Sequence, residues 1–378
     1  MKIVFASDSF KGSLSSEKIN QLLGRAAREV FGSPEVVPVV LADGGEGTLA
    51  AVLALKKGRK IAVTVHDPLM NETEAYYGSF DDGKAVIEMA QASGLTLIPE
   101  GKRNPLKTSS IGTGELIRAA LKAGHRELVI GIGGSATNDG GMGAAAALGI
   151  RFLDKKGKAL EGRGEELINV TSIYMPDRIS ELNDAKISVM CDVTNPLCGP
   201  MGASRVFGPQ KGADEVTVKA LEEGMENYRD VIRHTFGVDP DKVPGAGAAG
   251  GMGAALKIML GGELRSGIDT LLDLCDFGRL ISGADLIITG EGRLDSQSAS
   301  GKAVQGVGLR AKRAGIPCIA ICGCTGEGFE KIKECGVTKV VTLTDNNITP
   351  EQAMERAEEI YYKRAVQVLR SVGTKEME

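Results

Sequence analysis

Short apolar runs alternate with amphipathic stretches at both ends of this chain. In the first 60 residues, apolar runs at 2–6 and 36–41 are followed by helix-like patterns at about 15–30 and 47–56. This βαβα order is typical of a parallel sheet with helices on both faces. The same order returns near the C-terminus. Strands are predicted at 285–289, 317–322 and 338–343, with helices between them at 302–314 and 327–335 and a final helix over about 350–372.

The middle of the chain has a different pattern. Residues 60–66 and 72–80 alternate between apolar and polar side chains, and Asp82-Gly83 is a hairpin signal before the strand-like run 85–89. A helix is predicted after Gly112 and a strand at 127–132. An alanine-rich helix ending at Leu148 and a strand at 186–191 follow. The pattern predicts an α/β protein with one doubly wound domain (1–66 plus 266–378), interrupted by a second α/β domain (67–265). A length of 378 residues suits two domains.

Composition and charge exclude several classes of function. A net charge of −4 gives no basic field for binding nucleic acid. The N-terminal apolar run is too short for a signal peptide, and no run reaches the length of a membrane span. Seven irregularly spaced cysteines are typical of reduced thiols. We therefore expect a cytoplasmic protein that acts on a small molecule, without a nucleic-acid or membrane partner.

Two loops near the N-terminus follow predicted strands and carry charged groups. The first places Asp8, Ser9 and Lys11 just before a helix, and helix N-termini attract anions. The second is Asp43-Gly44-Gly45-Glu46, whose acids suit Mg²⁺ or a substrate hydroxyl. A solvated turn is the alternative for each loop.

A glycine-rich loop at 131–141 follows a strand and opens a helix. Its backbone N–H groups could hold phosphate oxygens, with further contacts from the side chains of this loop; the candidate binding residues are Gly133, Gly134, Ser135, Asn138 and Asp139. The loop also fits the dinucleotide pattern G-x-G-x-x-G/A, with Asp154 as the ribose acid, which keeps an oxidoreductase open as an alternative. No Gly-Lys pair is followed by Ser or Thr, so the chain has no P-loop.

Three further loops combine acids, amides and cations. They contain the candidate pairs Asp192 with Asn195 and Gln210 with Lys211, and the candidate triplet Glu291, Arg293 and Asp295. Such mixtures can hold a metal ion, phosphate and carboxylate, although each could also be a polar turn. The three histidines fall outside all of these loops, so a histidine-based nucleophile system is poorly supported.

Six motifs in order resemble the type I bacterial glycerate kinases. They begin at Asp8, Ala42, Gly133, Phe207, Pro244 and Thr289 and read DSFKGS, ADGGEG, GGSATNDGG, FGPQKGA, PGAGAAGG and TGEGRLD. The resemblance covers nearly the whole chain. It implies a flavodoxin-like domain built from both termini, with a restriction-endonuclease-like domain inserted into it. It also implies ATP-dependent phosphorylation of D-glycerate, generally at the 2-hydroxyl.

Phosphoryl transfer depends mainly on positioning and on neutralising charge. We therefore expect Lys11 and Arg293, with Lys211, to neutralise phosphate and the glycerate carboxylate. Asp43, Asp192 and Asp295 are expected to hold Mg²⁺ or to orient the acceptor hydroxyl, and one of them to act as general base. Transfer to the 3-hydroxyl, a dinucleotide-dependent oxidoreductase and a non-catalytic sugar-acid sensor stay as alternatives.

Overall fold

The computed structural model describes residues 1–41, 44–299 and 302–373. The strands are β1 (Lys2–Ser7), β2 (Glu35–Val40), β3 (Gly58–His66), β4 (Glu72–Phe80), β5 (Lys84–Glu88), β6 (Glu127–Gly131), β7 (Arg151–Leu153), β8 (Ser172–Tyr174), β9 (Lys186–Met190), β10 (Glu263–Arg265), β11 (Leu286–Gly290), β12 (Arg293–Leu294), β13 (Cys318–Cys322), β14 (Cys324–Thr325) and β15 (Val337–Thr342). The α-helices are α1 (Ser16–Phe31), α2 (Thr48–Leu55), α3 (Ala90–Ser93), α4 (Ile111–Lys122), α5 (Met142–Ala147), α6 (Ala203–Phe207), α7 (Glu215–Phe236), α8 (Ala248–Ala254), α9 (Gly267–Leu274), α10 (Phe277–Ile281), α11 (Ala303–Ala314), α12 (Pro350–Glu355) and α13 (Ala357–Gly373).

The chain divides into two compact units. Unit 1 comprises Met1–Ala42 and Leu271–Glu378, and unit 2 comprises Asp43–Thr270. The sequence-based boundary at residue 66 differs from this division, because β3 pairs along its whole length with β4, from Gly58 opposite Phe80 to His66 opposite Glu72. A hairpin of this length holds β3 in unit 2, and Gly44, Gly45 and Glu46 belong to unit 2 as well.

Unit 1 contains a five-stranded sheet in the order β2-β1-β11-β13-β15, and every pair in it is parallel. The interior strand β1 is apolar and almost completely buried, as expected for a strand covered on both faces. Pro38 lacks the N–H needed for a central strand, and it lies on the edge strand β2, where this lack is tolerated. The helices α1 and α13 pack against each other, and α11 packs against β11 and β13.

Unit 2 contains a six-stranded mixed sheet in the order β10-β9-β6-β5-β4-β3. The pairs β5-β6, β6-β9 and β9-β10 are parallel, whereas β3, β4 and β5 form an antiparallel meander. Its core combines sheet residues with the buried faces of α4, α5 and α7. The long helix α7 was not predicted from the sequence, and it contributes Leu221, Met225, Tyr228 and Ile232 at helical spacing.

Two helices predicted near the C-terminus differ from the structure. The predicted helix at 327–335 is only a short 3₁₀ turn, Phe329–Lys333, which starts after Gly328 in a left-handed conformation. The predicted helix over 350–372 is broken at Arg356 into α12 and α13. Both differences concern element length, and the βαβ order of unit 1 is unaffected.

None of the helices in the described residues is long and apolar enough to cross a membrane. All seven cysteines are free thiols, in agreement with the expectation from their spacing.

The placement of β3 in unit 2 gives a test by substitution. Val65 is 2% exposed within the core of unit 2, so Val65→Ala should lower the free energy of unfolding of this unit by about 2 kcal/mol. Hydrogen exchange should then show lower protection in β5 and β6 than in the wild type. Thr64→Ala, on the exposed face of the same strand, is the matched control. Loss of protection in β1 and β11 with β5 and β6 unchanged would contradict the placement.

Candidate active site

Unit 2 contains a cavity of about 450 Å³ at the carboxyl ends of the parallel strands β6 and β9. Its wall is formed by Gly45, Leu95, Ile132, Gly133, Gly134, Ser135, Met190, Cys191, Asp192, Val193, Phe207, Gln210, Lys211, Ala248 and Ala249. Ligands of parallel sheets generally bind at this edge, where the loops after adjacent strands meet. We call this space the unit 2 cavity.

The loop after β6, residues 131–141, is named the glycine loop here. It lies directly against Gly44 and Gly45, since the N–H of Gly133 donates to the carbonyl of Gly44 at 3.2 Å. A Cβ on Gly131 would lie 2.3 Å from that same carbonyl oxygen. The close approach of these two backbones therefore requires glycine at position 131 and brings Gly45 to the cavity wall.

Asp139 anchors the glycine loop from within the protein. It is completely buried, and its carboxylate accepts hydrogen bonds from the N–H and hydroxyl of Ser110, at 2.8 and 2.7 Å, and from the N–H groups of Gly141 and Gly143, at 3.1 and 3.2 Å. Burial raises the pKa of Asp139, while these hydrogen bonds lower it. These bonds hold the loop in place. The sequence predicted Asp139 as a ligand-binding residue, whereas the contacts that its carboxylate makes in the structure are with the protein.

Lys211 lies at the cavity with its side chain almost wholly enclosed, at 2% exposure. Its ammonium group donates to the hydroxyl of Ser135 at 2.8 Å and to the carbonyl of Thr137 at 2.7 Å. Burial lowers the pKa of Lys211 to about 7, although the negative charge of Asp139 acts in the opposite direction. In the structure, Lys211 follows the short helix α6 (Ala203–Phe207) and does not follow a strand.

The remaining candidates of unit 2 occupy different environments. Gln210 and Asp192 are exposed on the cavity wall, and Asp192 accepts a hydrogen bond from the N–H of Gly267 at 2.8 Å. Asn138 is buried and donates to Ser204 at 3.1 Å, and the Asn195 amide donates to the carbonyl of Met201 at 2.8 Å. Glu46 is exposed and does not line the cavity.

The candidates of unit 1 lie on two adjacent loops, after β1 and after β11. The N–H of Asp8 donates to the carbonyl of Gly290 at 2.8 Å, and that of Ser9 to the carboxylate of Asp8 at 2.6 Å. On the second loop, Arg293 pairs with Asp295 at 3.8 Å, and the arginine side chain is 66% exposed. Lys11 is exposed and forms no ion pair within the described part of the chain.

Glu291 is the buried acid of the unit 1 loops. The pKa of Glu291 is raised, mainly by burial and also by the negative charges of Asp8 and Asp295. A hydrogen bond from Ser298 and the positive charge of Lys302 act in the opposite direction. The Oε1 atom of Glu291 has no hydrogen-bond partner among the described residues. This environment brings Asp8, Glu291 and Asp295 within electrostatic range of one another.

The predicted metal ligands are only partly described. Asp43 lies outside the described residues, whereas Asp192 belongs to unit 2 and Asp295 to unit 1. Within residues 1–41, 44–299 and 302–373, no three His, Cys, Asp or Glu side chains are grouped closely enough to hold a metal ion by themselves.

Several cavity residues were not among the candidate site residues predicted from the sequence. The largest are Leu95, Met190 and Phe207, together with Ala248 and Ala249 of α8. These alanines lie in the motif that begins at Pro244, and Ala249 has φ +53° beside two glycines with positive φ.

Comparison with known proteins identifies the family. A profile of the glycerate kinase family matches residues 3–373. The chain belongs to the glycerate kinase family. It is 47% identical to a glycerate kinase of Bacillus cereus, over 95% of this chain and 94% of that protein, and 45% identical to the glycerate 2-kinase of Escherichia coli, over 94% of each. A crystal structure assigned to a glycerate kinase 2 of Salmonella typhimurium LT2 has a TM-score of 0.84 at 42% identity and full coverage of both chains.

Membership of the glycerate kinase family confirms the resemblance seen in the six motifs and makes the chain an enzyme of the kinase class. The oxidoreductase alternative is wrong. Asp154, its expected ribose acid, instead accepts the N–H groups of Lys156 and Lys158 within its own exposed turn.

The burial of Lys211 predicts a dependence of stability on pH. Between its folded pKa of about 7 and its ordinary value of 10.5, the unfolded chain binds a proton that the folded chain does not. The free energy of unfolding of the wild type should therefore rise with pH across this window, relative to that of Lys211→Met. Denaturant titrations of both proteins at pH 7 and pH 9 measure the change. Two curves that stay parallel would show that burial does not perturb this lysine.

Proposed function

We propose that this member of the glycerate kinase family transfers the terminal phosphoryl group of ATP to the 2-hydroxyl of D-glycerate, giving 2-phosphoglycerate and ADP. The near-complete coverage of relatives named as glycerate kinases and glycerate 2-kinase supports the reaction most strongly. The cations on the candidate loops are consistent with it, since phosphoryl transfer requires neutralisation of negative charge.

The unit 1 loops are proposed to bind the acceptor acid. Arg293 is exposed, and its planar guanidinium can hold a carboxylate through two parallel hydrogen bonds. The nearby Asp295 can accept a hydrogen bond from a hydroxyl of the acid, and Lys11 supplies a second exposed positive charge. In this proposal, a carboxylate of the candidate set takes the proton from the acceptor hydroxyl as the phosphorus–oxygen bond forms.

Mg²⁺ is proposed as the accompanying metal ion. Proteins commonly bind Mg²⁺ through one or two carboxylates, with the other positions filled by water and substrate phosphates. Asp192 on the cavity wall of unit 2 fits such a partial ligand set, and Asp43 and Asp295 are the other candidates. When bound, the ion would supply positive charge to the phosphate oxygens.

We also propose that unit 1 is flavodoxin-like and unit 2 restriction-endonuclease-like. Numbered within unit 1, the strand order 2-1-3-4-5 is that of flavodoxin-like doubly wound sheets. The assignment of unit 2 as restriction-endonuclease-like rests on the family resemblance, together with its mixed sheet. The seven free cysteines support a reducing compartment, so the cytoplasm is the proposed location.

The position of transfer can be tested by coupling the product to enolase. A cation that anchors the carboxylate also fixes the adjacent 2-hydroxyl, whereas the 3-hydroxyl rotates about one more bond. We expect a signal from ATP, Mg²⁺ and D-glycerate with enolase alone. A signal that requires phosphoglycerate mutase as well would show that the 3-hydroxyl is the acceptor.

Lys11→Ala should lower kcat/KM for D-glycerate by about 100-fold or more and leave the fold intact. Lys11 is exposed and makes no ion pair in the described residues, so its loss removes a charge that contributes to catalysis but not to stability. Lys18→Ala is the matched control, because Lys18 is partly exposed on α1 and pairs with Glu358 at 2.8 Å. Equal kinetics for the two variants would remove Lys11 from the mechanism.

A further inference from the structure

The unit 2 cavity is much larger than the proposed acceptor acid. Its volume is about 450 Å³, within the range of pockets that bind cofactors and drug-sized molecules. A three-carbon acid displaces only about as much volume as three or four waters, roughly 100 Å³. Glycerate alone would leave most of the cavity filled with water.

The wall of the cavity is chemically unsuited to a small polar acid. Leu95, Ile132, Met190, Val193 and Phe207 present apolar surface to it. Every carbon of glycerate bears oxygen, so burying glycerate there would remove polar groups from water without a matching gain. A flat heteroaromatic base gains from such a wall, since a base stacks on an aromatic ring and is covered by aliphatic side chains.

The polar part of the wall is suited to anionic oxygens. The Lys211 ammonium donates to the Ser135 hydroxyl oxygen, so the proton of that hydroxyl must point toward another acceptor. Ser135 and Lys211 both line the cavity, beside the backbone of Gly133 and Gly134. A phosphate oxygen can accept from the hydroxyl and from the ammonium N–H that Ser135 and Thr137 leave unused.

Among the described residues, Lys211 has no counter-ion within bonding distance. In the described part of the chain, no carboxylate lies within 4.0 Å of its ammonium group. The nearest charge that affects it is Asp139, whose oxygens already accept four hydrogen bonds from Ser110, Gly141 and Gly143. A buried cation without an ion pair is costly, and a bound anion would complete the site.

From this arrangement we infer that the unit 2 cavity is the nucleotide site of the enzyme. The base and ribose of ATP lie against the apolar wall at Phe207, and phosphate oxygens bind Ser135, Lys211 and the glycine loop. This inference rests on the proposed function, which requires a nucleoside triphosphate. It assigns the binding of the phosphoryl donor to unit 2. Lys211 is thereby a phosphate-binding residue.

Binding of AMP-PNP, a non-hydrolysable ATP analogue, tests the inference by calorimetry on the full chain. Phe207→Ala should weaken AMP-PNP binding about tenfold by removing a stacking surface. Val206→Ala is the matched control, because Val206 is on the same helix, 38% exposed and absent from the cavity wall. Equal affinity of the Phe207 and Val206 variants for AMP-PNP would overturn the nucleoside part of the site.

Lys211→Met tests the phosphate end with the same probe. Loss of a charged donor should weaken AMP-PNP binding about 10- to 100-fold and leave adenosine binding unchanged. Binding of D-glycerate to the same variants shows whether Lys211 binds a nucleotide phosphate or the glycerate carboxylate. If Lys211 binds the carboxylate, Lys211→Met should weaken the binding of glycerate instead of AMP-PNP. Loss of glycerate binding with AMP-PNP binding retained would overturn the assignment.

Thiol labelling of the wild type tests the location without a substitution. Cys191 is partly exposed on the cavity wall. AMP-PNP should slow alkylation of Cys191 severalfold relative to its rate in the unliganded enzyme, as resolved by peptide mass spectrometry, and D-glycerate should not. Unchanged labelling of Cys191 at saturating AMP-PNP would place the nucleotide elsewhere. If AMP-PNP protects Cys191 but no phosphoglycerate forms from D-glycerate, the acceptor assignment fails and the nucleotide site stands.

Discussion

The candidate site of unit 2 depends on one buried carboxylate. Asp139 is removed from water and compensated by hydrogen bonds from Ser110 on one side and from Gly141 and Gly143 on the other. A buried polar group is costly without such hydrogen bonds, so moving the loop away from Asp139 would destabilise the folded chain. The position of the loop in turn fixes the hydroxyl and the carbonyl that hold the Lys211 ammonium. The conformation of the cavity wall thus derives from a residue that is not part of it.

Local patterns in the sequence were sufficient to predict most of the sheet strands. Buried strands such as β1 and β11 are continuous apolar runs, and Asp82-Gly83 marks the turn between β4 and β5. The predicted boundary at residue 66 differs from the division of the structure because it depends on a pairing partner. β3 has the alternation of any half-buried strand, and its pairing with β4 assigns it to unit 2. The long helix α7 has a readable apolar stripe at Leu221, Met225, Tyr228 and Ile232, yet it was not predicted.

Residue types at the candidate site could be predicted from the sequence more readily than their surroundings. The candidate residues Ser135, Lys211, Gln210 and Asp192 line one cavity in the structure. Burial could not be predicted from the sequence. A lysine beside a glycine has the pattern of an exposed turn, whereas Lys211 is enclosed and its ammonium group donates to Ser135 and Thr137 of the glycine loop. The apolar part of the wall comes from positions that single-residue chemistry does not mark as functional.

The strand order of unit 1 has a consequence for synthesis of the chain on the ribosome. β1 lies between β2 and β11, and these neighbours are separated by more than 240 residues of sequence. The N-terminal helix α1 likewise packs against α13, with Glu29 accepting from Tyr362 and Arg370 near the end of the chain. Domains generally fold as units during synthesis, so unit 2 is complete while β1 still lacks its second partner, β11. An apolar strand with an unpaired edge is prone to aggregation, and the nascent enzyme therefore carries this exposed edge for most of its translation time.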